Sequence, residues 1–238
     1  MTPVLELRGV SAGYGPFHAL FDVSFAVQPG QAVALLGANG VGKTTVARVA
    51  SGLVSPHRGA VLVDGKDLTG APPHKFARAG IAHAVEGRSV FASLSVEDNL
   101  RLSFRRSCGA RGVAAALDSA YEQFPVLARR RTQLAGHLSG GEQRMLSMAR
   151  VLVEAPALLI ADELSLGLAP IIVDEIYKQL ARLRDQGTAL LIVEQQVSHA
   201  LGLCDHALLL DHGAIVWEGP PADAGDRVAT RIFDHEPG

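Results

Sequence analysis

Eight residues, Gly37-Ala38-Asn39-Gly40-Val41-Gly42-Lys43-Thr44, follow the spacing G-x-x-x-x-G-K-[ST] between a short apolar run and a helix-like run. Glycines at these positions let the backbone curl so that successive N–H groups face a phosphate, and a helix N-terminus adds the positive end of its dipole. Lys43 has the reach for β- and γ-phosphates, and the Thr44 hydroxyl can ligate magnesium. Thr45 continues the same nucleotide-binding stretch. The plain alternative is a glycine turn followed by a surface lysine.

Two further groups have the composition for the same chemistry. Leu158-Leu159-Ile160-Ala161-Asp162-Glu163 is a buried-type strand that delivers two carboxylates at its carboxyl end, the side of an open α/β sheet where ligands bind. There Asp162 suits a magnesium ligand, directly or through water, and Glu163 a general base for an attacking water. Acids after a strand also serve simply as helix N-caps. In Leu138-Ser139-Gly140-Gly141-Glu142-Gln143, Ser139 and Glu142 have the spacing of a capping box. The adjacent glycines weaken a first helical turn, yet they would let a phosphate approach exposed N–H groups, so an anion is expected to dock there.

The elements that must carry these groups alternate in type. Val4 to Leu7 and Ala19 to Val27, broken by Gly13, Gly15 and Pro16, are expected as antiparallel strands, continued by Ala60 to Asp64. Gln31 to Leu36 is a strand, Gly37 to Gly42 a loop and Lys43 to Gly52 a helix. From Val96 to Ala149 the pattern is helical with no convincing strand, and then Leu158 to Ala161, the amphipathic run Ile171 to Arg184, and Ala189 to Val193 restore strand, helix and strand. That alternation implies a mostly parallel sheet.

Composition narrows the function classes. The chain has 238 residues, 22 basic and 24 acidic, for a formal charge of -2, so there is no basic footprint for nucleic acid and no polybasic membrane anchor. Arg129-Arg130-Arg131 lacks interleaved aromatics and is expected as a solvated helix end. Cys108 and Cys204 are far apart, which points to a reducing compartment, and the nine histidines show no metal-ligand spacing, so solvated or core positions are expected for them. Charged Glu6 and Arg8 precede any apolar stretch, which argues against a secretory signal, and no apolar run approaches the roughly 18–20 residues of a membrane span.

At the Leu138-to-Gln143 segment the sequence resembles the ATP-binding cassette (ABC) family, whose hallmark that segment is. Phosphate loop, helical lobe, hallmark and acidic strand occur in the family's order over nearly the whole chain. The resemblance implies a single α/β domain over 1–238 with a phosphate-loop (RecA-like) core, a mostly parallel sheet, an antiparallel β subdomain and an inserted helical lobe. The core and antiparallel region would occupy about 1–90 and 150–238, and the lobe about 91–149. It further implies ATP and Mg2+ as ligands, a pair of cassettes that sandwich ATP between the phosphate loop of one and Ser139, Gly140, Gly141, Glu142 and Gln143 of the other, and Tyr14 stacking on adenine.

Glu86-Gly87-Arg88 and Ser165-Leu166-Gly167-Leu168-Ala169-Pro170 resemble the subfamily that energises uptake of branched-chain and related amino acids. Glu86 stands where most cassettes have a glutamine that senses magnesium, Gln195 where most have a histidine beside the γ-phosphate, and Ala169 where an aspartate is usual. A carboxylate at Glu86 can serve magnesium. Gln195 donates a hydrogen bond but carries no proton at neutral pH, which suggests unequal ATP sites in a heterodimer. Leu164 after Glu163, and Val85 before Glu86, replace prolines of the family and subfamily and should loosen each loop modestly. The implied partners are a second cassette, homo- or heterodimeric, two transmembrane permease subunits and an extracytoplasmic binding protein. The implied place is cytoplasmic, peripheral on the inner face of the cell membrane. The rival reading is a non-transport cassette ATPase such as that of iron–sulfur cluster assembly, against which the two subfamily segments speak.

Overall fold

The computed structural model describes residues 1–84, 90–195 and 197–225. Along the chain, β1 (Leu5–Tyr14) and β2 (Phe17–Val27) form a hairpin, and β3 (Ala32–Leu36) leads into α1 (Lys43–Ala50). Then come β4 (Arg58–Val63), the two-residue β5 (Lys66–Asp67), α2 (Pro73–Arg78) and β6 (Ile81–Ala84). Four helices follow: α3 (Val96–Ser107), α4 (Gly109–Gln123), α5 (Pro125–Arg129) and α6 (Gly140–Glu154). The chain continues through β7 (Leu158–Asp162), α7 (Pro170–Asp185), β8 (Ala189–Glu194), α8 (Val197–Leu203), β9 (His206–Asp211) and β10 (Ala214–Gly219). Among the described residues no helix is long and apolar enough to cross a membrane.

Two sheets result. One is antiparallel in the order β2-β1-β4-β5, and the other runs β10-β9-β3-β8-β7-β6, with β9, β3, β8 and β7 mutually parallel and β10 antiparallel at its edge. Every residue of β3, β7 and β8 is buried, as parallel strands covered on both faces require. Their Val, Ile and Leu side chains contribute about 1.5–3 kcal/mol each on burial. The fold is therefore the α/β class that the alternating pattern implied.

The chain divides into two compact units, one of Met1–His83, Ala157–Glu163 and Arg184–Gly238, the other of Ala84–Pro156 and Leu164–Leu183. The first holds both sheets around a core that includes Leu7, Val23, Leu35, Val46, Ile160 and Leu191. The second is helical, and it takes in most of α7 beside the Val96–Ala149 region. Within it Asn99, fully buried, accepts from the Phe91 N–H at 2.8 Å and donates to the carbonyls of Phe91 and Ser95 at 3.0 and 2.9 Å, fastening the start of the unit to α3. Ser95 caps α3 by accepting from the Asp98 N–H at 3.0 Å.

Strands β1 and β2 run longer than their apolar patterns suggest. Register shifts after Leu7 and Val10, and Gly9 at φ 56°, break the two-residue alternation without ending the pairing. The helical stretch is interrupted at Cys108–Gly109, at Phe124–Pro125 and between Arg130 and Ser139, so one broad pattern becomes four helices.

Candidate nucleotide-binding site

Three parallel strands end together. Leu36 of β3 is in register with Glu194 of β8, and Val193 with Asp162 of β7, so Gly37, Glu163 and Gln195 leave the sheet at one carboxyl edge. The loop after β3 closes on α1 through Gly42, which sits at φ 109° as the N-cap and supplies no side-chain cap. A Cβ there would lie 2.8 Å from the Ala19 carbonyl oxygen and 2.9 Å from Leu20 Cδ2, so the position needs glycine for both space and backbone. The N–H groups of the first turn of α1 are thus left without intrahelical or side-chain partners, the arrangement that binds phosphate. Asn39 and Gly40 are exposed, Ala38, Val41 and Thr44 partly so, and Thr45 is buried.

Lys43 is 3% exposed. Its ammonium donates to the carbonyls of Gly37 and Ala38, both at 2.9 Å, and lies 3.6 Å from Glu163 Oε1. Burial lowers its pKa, and the nearby carboxylates of Glu163, Asp162 and Glu194 oppose that shift. A polyphosphate would compete with Glu163 and the loop carbonyls for this one cation. Thr44 Oγ1 donates to Asp162 Oδ1 at 3.5 Å, and the two form an oxygen pair of the kind a hard divalent cation takes. Asp162 is 1% exposed, and burial of that carboxylate is tolerated because Thr44 and Lys43 face it. Glu163 follows at φ 48°, with its N–H donating to the Val193 carbonyl at 2.9 Å. A non-glycine residue held there is strained, and the ladder bond to β8 fixes it in place.

Tyr14 ends β1 with 44% of its surface exposed. Arg48 of α1 donates to its hydroxyl at 3.0 Å and lies over one face of its ring, 6.0 Å from the centroid. Gln195 is partly buried directly after β8. Glu86, with Val85, Gly87 and Arg88, lies outside the described residues.

In the helical unit the capping box expected at Ser139 is formed: the Ser139 N–H donates to Glu142 Oε2 at 2.9 Å and the Glu142 N–H to Ser139 Oγ at 3.3 Å. Arg130 pairs with Glu142 at 2.7 Å. Burial pushes the Glu142 carboxyl up, but the bonds from Ser139 and Arg130 outweigh it and hold the group below its ordinary range. The Gln143 amide donates inward to the carbonyls of Ala135 and Leu138 at 3.0 and 3.2 Å. Glu142 and Gln143 thus hold the segment's shape, and Ser139 and Gly140 form its exposed face. Nothing lies within 4 Å of where a Gly140 Cβ would be, so this chain's own packing does not demand glycine there.

His83 was missed by sequence reasoning. Its side chain is largely enclosed, with Nδ1 2.9 Å from Ser51 Oγ and Nε2 3.8 Å from Asp162 Oδ2. A lone histidine with no ligand spacing gave no signal for this contact, which depends on β6 lying beside β7.

A model of the ABC transporter family matches residues 20–165. The chain is 41% identical over 213 residues to the high-affinity branched-chain amino acid transport ATP-binding protein BraG of Pseudomonas aeruginosa, covering 90% of this chain and 91% of that protein. It is 35% identical over 234 residues to the probable branched-chain amino acid transport ATP-binding protein LivF of Archaeoglobus fulgidus, covering 98% and 95%. The lipopolysaccharide export system ATP-binding protein LptB of Haemophilus influenzae is 32% identical over 233 residues, covering 97% and 96%. A solved ATP-binding subunit of an ABC transporter superposes with a TM-score of 0.84 over 96% of this chain and 94% of that one, at 28% identity. The chain belongs to the ABC transporter family, as one of its ATP-hydrolysing cassettes.

Proposed function

We propose that this cassette energises uptake of branched-chain or related amino acids, working with a second cassette, two transmembrane permease subunits and an extracytoplasmic binding protein, and lying at the inner face of the cell membrane. The observation that carries the chemistry is the meeting of Lys43, Thr44, Asp162 and Glu163 at one sheet edge. In this reading the N–H groups from Gly37 to Thr45 cradle the phosphates, Lys43 leaves Glu163 for the β- and γ-phosphates, and Tyr14 stacks on adenine. Thr44 and Asp162, with Glu86, hold magnesium, which when bound neutralises phosphate charge. Glu163, freed from Lys43, accepts the proton of the attacking water as its oxygen bonds to the γ-phosphorus and the bond to the bridging oxygen breaks, leaving ADP and phosphate.

Ser139, Gly140 and Gly141 act on the ATP of the opposing cassette, with Glu142 and Gln143 holding that surface. ATP then favours the closed pair through contacts made only there. Gln195 can donate to the γ-phosphate but cannot relay a proton, so the two ATP sites are unequal when the partner cassette carries a histidine. Equal turnover per site in the homodimer and the heterodimer would contradict that inequality.

The uptake assignment draws on the names of BraG and LivF and on the Glu86 and Ser165-to-Pro170 segments. The similarity to LptB favours a second reading, an export system. Affinity purification from native membranes, with mass spectrometry of what accompanies the chain, separates the readings. Two permeases, a second cassette and an amino-acid-binding protein are expected; lipid-export components would establish the second reading, and soluble partners alone would overturn both.

A further inference from the structure

The two oxygens of Asp162 face different groups. Oδ1 receives the Thr44 hydroxyl at 3.5 Å, and Oδ2 lies 3.8 Å from Nε2 of His83. The His83 side chain is 7% exposed, and its Nε2 is buried with no hydrogen-bond partner. A purely space-filling residue at this point of β6, between Ile81 and Ala84, would be apolar like those two, because an unpaired buried nitrogen lowers stability. The other ring nitrogen, Nδ1, is already engaged at 2.9 Å by Ser51 Oγ. Ser51 is 6% exposed and is the C-cap of α1, the helix that begins with Lys43 and Thr44.

We propose that His83 is a positioning residue for Asp162, in a relay Ser51–His83–Asp162 that ties the far end of the phosphate-loop helix to the carboxylate at the end of β7. The neutral ring has one N–H, and a carboxylate accepts but does not donate, so the proton resides on Nε2 and points to Oδ2. Nδ1 then accepts the Ser51 hydroxyl, which turns to it from the Ala47 and Arg48 carbonyls that also lie within its reach, at 2.9 and 3.2 Å. Reaching hydrogen-bond length requires a closing of about 1 Å, the kind of tightening that site contacts undergo when substrate binds. With Oδ2 held, rotation about the carboxylate bond is restrained and Oδ1 stays turned towards Thr44. The role rests on the reading that Asp162 and Thr44 hold the magnesium of the nucleotide.

The test is Mn2+ binding to the ATP-loaded chain, followed by electron paramagnetic resonance, in the unsubstituted protein and in His83→Phe, His83→Gln and Asp162→Asn. His83→Phe keeps a ring but no donor, and weakens Mn2+ binding by about 10-fold or more. Metal-free ATP affinity stays unchanged, and His83→Gln, whose amide can reach Oδ2, recovers most of the loss. Mn2+ affinity of His83→Phe within twofold of the unsubstituted chain, with Asp162→Asn weakened, overturns the role of His83 alone. Unchanged affinity in both overturns the metal assignment beneath it. Nitrogen-15 NMR of the unsubstituted chain provides a check that needs no variant to fold: an Nε2-protonated neutral ring is expected, and an Nδ1-protonated ring contradicts the relay.

Discussion

The phosphate-loop edge and the Ser139–Gln143 segment both lie at helix N-termini, yet they are built oppositely. At the first, Lys43, Asp162 and Glu194 are nearly fully buried and Glu163 half-closed, so each charge depends on its neighbours. At the second, the charged group, Glu142, is spent on the segment's own capping box and on Arg130, and the outward face is a serine and a glycine with open space beyond. In the proposed reading the first region is a site that a single chain completes. In the same reading the second is a shaped surface that gains its purpose only against another cassette.

The contrast can be broken most sharply at the two ends of its range. Glu163→Gln lowers steady-state ATP turnover by about 10²–10⁴-fold while ATP affinity, measured by titration, is kept, because only the proton acceptor is removed. Gly140→Asp lowers turnover about 10²-fold by placing an anion where a phosphate must approach. The same substitution leaves thermal stability within about 0.5 kcal/mol, since the added Cβ meets nothing and an acid in a first helical turn is favourable. Gly42→Ala behaves in reverse: the forced φ and the clash with Ala19 cost about 1–3 kcal/mol, read as a lowered denaturation midpoint, before any effect on chemistry. Smallest is Tyr14→Ala, which raises the Kd for ATP about 10-fold through lost base stacking and leaves turnover at saturation unchanged.

The legibility of the two regions in the amino-acid sequence follows from the same difference. Gly37 to Thr44, the Asp162–Glu163 pair and the Ser139–Glu142 spacing are local patterns, and local patterns determine caps, loops and strand ends. Strands β3, β7 and β8 were readable because continuous burial writes continuous apolar runs. What could not be read depends on contacts between distant residues. The Gln143 amide donates to the Ala135 and Leu138 carbonyls and Glu142 pairs with Arg130, twelve residues earlier, contacts that the local spacing does not announce. Arg48 beneath Tyr14 and His83 beside Asp162 join elements that only the sheet topology brings together. The four-residue β6 and the seven-residue α8 carried too few residues for a period to show.

The central claim is that the phosphate-loop edge binds nucleotide by itself while Ser139–Gly141 serves a different chain's ATP. Its most direct test is the ATP affinity of the Gly140→Asp chain, measured at a dilution where the protein is monomeric. The Kd of the unsubstituted chain is expected, because a segment that serves a different chain's ATP takes no part in binding its own. A clearly weakened Kd in the monomer would place the segment at its own phosphate loop and contradict the division of labour between the two regions.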